Sequence, residues 1–177
     1  MQLTADYHTH TLFSHGKNTI EENVLCARAK GLKTVCISEH ADGHRLYGVD
    51  KEGLLQIQEE ILRLRNQYPD IQICFAVEAN IVKQDGTLDV DAYNDIFDRL
   101  LVGMHFFVRF DKFFYYNIIN LMSRYLGLFR NYCRRRNTDI LINCIQKYPH
   151  IFAITHPGER FLIDADRLSK ECAKHDV

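Results

Sequence analysis

The 177-residue chain has no surplus charge of either sign: 22 Lys and Arg stand against 23 Asp and Glu, a net charge of −1. No overall field therefore recruits nucleic acid or an anionic membrane. The one strong basic cluster, Arg134-Arg135-Arg136, reads as a solvated helix end. No two of the six cysteines stand in a CxxC spacing, which removes the usual thiolate metal and redox motifs. Most of the cysteines fall inside apolar segments, where a reduced cysteine behaves as a small hydrophobe. The opening "MQLTADYHTH" lacks the basic and apolar regions of a secretory signal. The most apolar stretch, "FFYYNIINLMSRYLGLF", is broken by Asn117, Asn120, Ser123 and Arg124 and is short for a membrane span. Together these features point to a reducing cytoplasm. With no internal repeat, low-complexity tract or linker, residues 1–177 read as a single domain.

What is present is an alternation of strand and helix patterns. "LTADYH" reads as a first strand and "TIEENVLCARAKG" as a helix, with Ile20, Val24, Leu25 and Ala27 apolar and Gly31 at its C-terminal cap. "LKTVCIS" has the compact apolar form of a strand buried on both faces. "KEGLLQIQEEILRLRNQY" is a helix with Leu54, Leu55, Ile57, Ile61, Leu62 and Leu64 as its apolar face, stopped by Pro69. "IQICFAVEA" is a third strand, "VDAYNDIF" a short helix and "RLLVGMH" a fourth strand. Residues 111 to 132 are aromatic and helical, and the aromatics from Phe106 to Phe129 are expected to pack helices against the core. "NTDILINCIQKY" is a helix with Asn137 or Thr138 as N-cap, "HIFAITH" a fifth strand, and "DADRLSKECAKH" a helix capped by Asp164. Such alternation implies a parallel sheet with crossover helices, either barrel or doubly wound.

The reactive residues recur at one place in this pattern. His8 and His10 close strand one, His40 follows strand two, Glu78 ends strand three, His105 ends strand four and His156 ends strand five. In an α/β barrel the C-terminal strand ends converge on one mouth, where active sites sit. A lone histidine at a strand end is ordinarily a satisfied polar residue. Five consecutive strands each delivering a His or Glu at the same end is a different matter. Neutral imidazoles bind Zn, Mn, Fe or Ni, and a carboxylate can bridge two cations. His8 and His10, two apart in an extended segment, point their rings to one side.

"DYHTHTLFSHG", "ISEHAD", "VEANI", "GMH" and "ITHPG" resemble, in that order, the successive motifs of the PHP (polymerase and histidinol phosphatase) superfamily. The likeness includes "GLKTVCISEH" and "DGTLDVD", and is weakest over 106–136. It is closest to stand-alone bacterial members of histidinol-phosphatase type. The resemblance implies a distorted seven-stranded (β/α)7 barrel holding up to three divalent metal ions (Zn, Mn or Fe) and hydrolysing phosphoesters. By position, it makes His8 and His10 ligands of a first metal, with Glu78 bridging to a second completed by His105 and His156. His15 and His40 would ligate a third. Glu78, His105 and His156 would thus be the catalytic set, with metal-activated hydroxide and no protein nucleophile. Glu39 stands where many relatives have Asp, and a supporting role behind the ligands is expected for it.

Arg160, four residues after His156, could grip a phosphate in bidentate fashion or stand as a surface arginine. Asp42 and His44, in the loop after His40, could border substrate but read better as solvated loop residues, and His150 and His175 read as surface residues. The expected function is a metal-dependent phosphatase of a small phosphomonoester, histidinol phosphate being one candidate. The alternatives are a nuclease-like phosphodiesterase, disfavoured by the neutral charge, and a non-catalytic metal-binding module. The family's final Asp-x-His motif does not occur after His156. The barrel is therefore expected to be incomplete at its last strands, with two well-formed metal sites and a third incomplete one. Weak catalysis and self-association through exposed strand edges are expected to follow.

Overall fold

The computed structural model describes residues 3–90, 95–109 and 113–177. Five strands alternate with helices: β1 Ala5–Thr9, α1 Ile20–Ala29, β2 Thr34–His40, α2 Lys51–Gln67, β3 Gln72–Asn80, β4 Arg99–Gly103, α3 Phe113–Tyr125, α4 Arg130–Lys147, β5 Ile151–Ile154 and α5 Ala165–Lys174. The sheet order is β1-β2-β3-β4-β5, the order of the chain itself. A doubly wound sheet reverses its strand order at a switch point, so of the two α/β arrangements the barrel type is the one adopted.

The chain divides into two compact units. One comprises Met1–Asp42, Tyr47–Glu78 and Val90–Arg99; the other comprises Gly43–Leu46, Ala79–Asp89 and Leu100–Val177. In the first, β2 is parallel to β1, with Ala5 opposite Thr34, and to β3, with His40 opposite Glu78. Every residue of β2 is buried, as its unbroken apolar run predicts. In the second unit β4 and β5 are parallel, with Leu100 opposite Ile151.

The helix ends follow local chemistry. Thr19 and Glu22 form a reciprocal capping box at the start of α1. At its end Gly31 adopts φ 74°, donating to Arg28 while Leu32 donates to Ala27, which satisfies two of the last carbonyls. Asp50 caps α2 through Gly53 N–H, and Asp164 caps α5 through Arg167 N–H.

Three expectations need correction, and a fourth lies partly outside the described residues. In α1 Leu25 is exposed, and in α2 Leu55 and Leu62 are exposed, while Leu54, Ile57, Ile61 and Leu64 are buried. The buried face is one stripe, and Leu55 and Leu62 stand about 100° around the helix from Leu54 and Ile61. Asn137 and Thr138 do not cap a helix, because α4 begins two turns earlier, at Arg130. Both are buried within it: Asn137 Nδ2 donates to Asn120 Oδ1 and Leu162 O, and Thr138 Oγ1 back-bonds to Arg134 O. The aromatic stretch is only partly core. Phe106 and Tyr116 pack on Phe161 with ring centroids 4.5 and 5.3 Å apart. Tyr125, the last residue of α3, and Phe129, in the turn before α4, are 73% and 56% exposed. Finally, the helix expected at 90–97 falls partly on residues 91–94, outside the described residues; Asp95 and Ile96 form a turn. Among the described residues no helix is long and apolar enough to cross a membrane.

Candidate metal centre

In the first unit three strand ends deliver the polar cluster. β1 carries His8 and leads directly to His10, β2 ends on His40, and β3 places Glu78 opposite His40. Glu78 is fully buried, and three imidazoles surround a single one of its oxygens. His8 Nε2, His10 Nε2 and His40 Nδ1 lie 3.3, 3.4 and 3.1 Å from Glu78 Oε2. The rings are close to one another as well. His10 stands 4.2 Å from His15 and 4.7 Å from His40, centroid to centroid. One nitrogen from each of His10, His15 and His40 can be chosen so that all three lie within 4.8 Å of one another. Burying so many imidazoles around one buried carboxylate is costly unless charge is matched. A divalent cation matches it, and the donor set of neutral imidazole and carboxylate is the one that zinc-type metals take.

A second carboxylate stiffens this cluster from behind. Glu39, also fully buried, accepts the Thr11 backbone N–H at 2.7 Å, the Thr11 hydroxyl at 2.6 Å and the Ser14 hydroxyl. His10 Nδ1 lies 3.7 Å from Glu39 Oε2, so the ring faces Glu78 on one edge and Glu39 on the other. Burial disfavours the charged form of His10, but hydrogen bonds to Glu39 and Glu78 and their charges outweigh it, and its pKa rises to about 9. Thr11 and Ser14 carry no sequence signal that separates them from other loop hydroxyls. Only the fold brings them to Glu39, 28 and 25 residues away.

The second unit holds its own cluster. His105 follows β4 and His156 follows β5, with ring centroids 5.3 Å apart. His44 stands 5.7 Å from His105 and is buried, not solvated. The backbone explains this: Arg45 N–H donates to Phe107 O and Arg109 N–H to Gly43 O, an isolated antiparallel bridge that pins His44 beside Val108. Asp42 is half-buried. His105 Nδ1 is 2.9 Å from Asn80 Oδ1. His156 takes φ 30°, a region few non-glycine residues occupy and one often found at functional sites. Arg160 is exposed and lies 3.9 Å from Glu159, in a shallow crevice that His156 also lines. His150 and His175 are on the surface, His175 3.5 Å from Glu171.

Comparison with known proteins agrees with the motifs. A probable phosphatase of Photobacterium profundum is 28% identical over 179 residues, covering all of this chain and 63% of the relative. A probable phosphatase of Caldanaerobacter subterraneus is 30% identical over 175 residues, covering 95% of this chain and 58% of the relative. The chain thus spans less than two thirds of the length of these curated relatives. Its fold is similar to that of the histidinol phosphate phosphatase of Lactococcus lactis, solved with zinc, L-histidinol and phosphate. The TM-score is 0.61 at 15% identity, with 97% of this chain and 70% of that one covered. The PHP domain family model matches residues 6–175, across both compact units. By sequence, fold and the histidines and carboxylates of its strand ends, the chain belongs to the PHP domain family.

Proposed function

We propose that this chain is a metal-dependent phosphatase that hydrolyses a small phosphomonoester. The observation that carries the reading is Glu78, a fully buried carboxylate with three imidazole nitrogens within 3.4 Å of one oxygen. We assign His8, His10 and Glu78 to a first divalent ion and Glu78, His105 and His156 to a second. His15 and His40 are assigned to a third, incomplete set. Zinc, manganese and iron all suit these donors. Held there, divalent ions would supply Lewis acidity that makes a water nucleophilic at neutral pH and would offset charge on the phosphate. The chain's own residues do the rest. Glu78 fixes the spacing of the imidazoles around it, and Glu39 holds His10 and the 11–14 loop in place. Arg160, exposed beside His156, is assigned to the phosphate, where a guanidinium fits two oxygens at once. No side chain is needed as a nucleophile.

Support for the substrate class comes from relatives named as probable phosphatases and from a fold neighbour bound to L-histidinol and phosphate. Histidinol phosphate is accordingly one candidate substrate. The six cysteines, all free thiols, fit work in the reducing cytoplasm. The test is phosphate release from a generic aryl phosphate with added manganese or zinc. Activity is expected with metal, to vanish on chelation, and to fall at least ~100-fold in Glu78→Ala. A folded, metal-replete protein that cleaves a short single-stranded oligonucleotide but no monoester would replace this reading with a phosphodiesterase. One that cleaves neither would leave a non-catalytic metal-binding module.

A further inference from the structure

Asn80 is fully buried at the end of β3, and its surroundings in the second unit specify its orientation. Its backbone N–H donates to Asp89 Oδ1 at 2.8 Å, and its side-chain NH2 donates to Asp89 Oδ2 at 2.7 Å. The same Oδ2 accepts Gly43 N–H at 3.0 Å. That approach requires glycine, because a Cβ at position 43 would collide with the Asp89 carboxylate. An ionised carboxylate can only accept hydrogen bonds, so the amide of Asn80 must turn its NH2 towards Asp89. Its oxygen is then turned away, to the place where it lies 2.9 Å from His105 Nδ1. An amide oxygen also only accepts. The proton of the neutral imidazole is therefore on Nδ1, and the lone pair is on Nε2. Gly103 leaves space for that edge of the ring, since a Cβ there would meet Cε1 and Nε2 of His105.

We propose that Asp89 and Asn80 are positioning residues that lock His105 in its Nδ1–H tautomer, so that Nε2 is presented as a metal donor. The relay runs from carboxylate to amide to ring: one fixed charge sets the amide, and the amide sets the tautomer. The last step, towards metal, rests on the reading of His105 as a ligand. The tautomer itself is a property of the metal-free chain.

The experiment is a long-range 1H–15N correlation spectrum of the metal-free protein at slightly alkaline pH, with His105 assigned through His105→Gln, alongside zinc titration of each variant. Wild type is expected to show a protonated Nδ1 and a bare Nε2 at His105. Asn80→Leu removes the acceptor: the ring should move towards the other tautomer and zinc affinity should fall about 10- to 100-fold. A merely structural role would not move the tautomer. The relay is overturned if wild-type His105 carries its proton on Nε2, or if Asn80→Leu folds with the tautomer unchanged. If the tautomer is as expected but His105→Gln leaves zinc affinity intact, the relay stands and the assignment of His105 as a ligand falls.

Discussion

At the scale of single residues, buried carboxylates organise this molecule. Glu78 gathers imidazoles, Glu39 gathers two hydroxyls and a backbone N–H, and Asp89 gathers two backbone N–H groups and an amide. In Glu39→Gln the negative charge beside His10 is lost and one acceptor oxygen becomes a donor. We expect metal affinity to fall about 10- to 100-fold, with a stability cost of about 1–3 kcal/mol. Zinc titration and urea unfolding measure the two. Asp89 gives a pH signature: burial pushes its carboxyl up to about 6, against the hydrogen bonds from Asn80 and Gly43 that favour the charge. A raised pKa means that the folded state holds the proton more tightly than the unfolded one. Its contribution is fully present below the ordinary value of 3.8 and is lost as pH rises through about 6. Relative to Asp89→Asn, wild type should therefore lose on the order of 2 kcal/mol between about pH 4 and pH 7. Urea midpoints that stay parallel for the two proteins across that range would contradict it.

The clustering of the residues proposed as ligands is legible in the sequence, because all but His15 sit at or just after strand ends and imidazoles two apart share a side. The residues behind them are not. Thr11 reaches Glu39 across 28 positions and Asn80 reaches His105 across 25, and no local pattern announces a partner that distant. His44 was misread as a solvated loop residue because its burial depends on backbone pairing with 107–109.

At the scale of elements, periodicity places α1, α2 and α5 where they form but overstates the width of the buried face. The pattern in α2 offers six apolar positions, and four are buried. Ile61→Ala should cost about 2–5 kcal/mol, because it opens a cavity where the side chain is 1% exposed. Leu62→Ala, 51% exposed, should change stability by less than about 0.5 kcal/mol. Equal effects from the two in chemical denaturation would overturn this account of the helix face. The start of α4 was hidden for a different reason. Its first turns, Arg130 to Arg136, are polar and exposed but for Cys133, so no apolar stripe marks them. A buried Thr138 that bonds back to Arg134 resembles, in sequence, the N-cap it is not.

At the scale of the whole molecule, the alternation of elements left barrel and doubly wound sheet open, and the chain-order sheet decides for the barrel type. The near-neutral charge leaves no overall basic field, so the proposed site would rest on its histidine-rich strand ends. The central claim is that Glu78 and the histidines around it form a metal centre. Crystals soaked in zinc or manganese and measured across the metal's absorption edge test it most directly. The account predicts anomalous peaks bonded to Glu78, with imidazole nitrogens of His8 and His10 at about 2.0–2.1 Å for zinc. Metal-soaked crystals with no anomalous peak within bonding distance of Glu78 would contradict it.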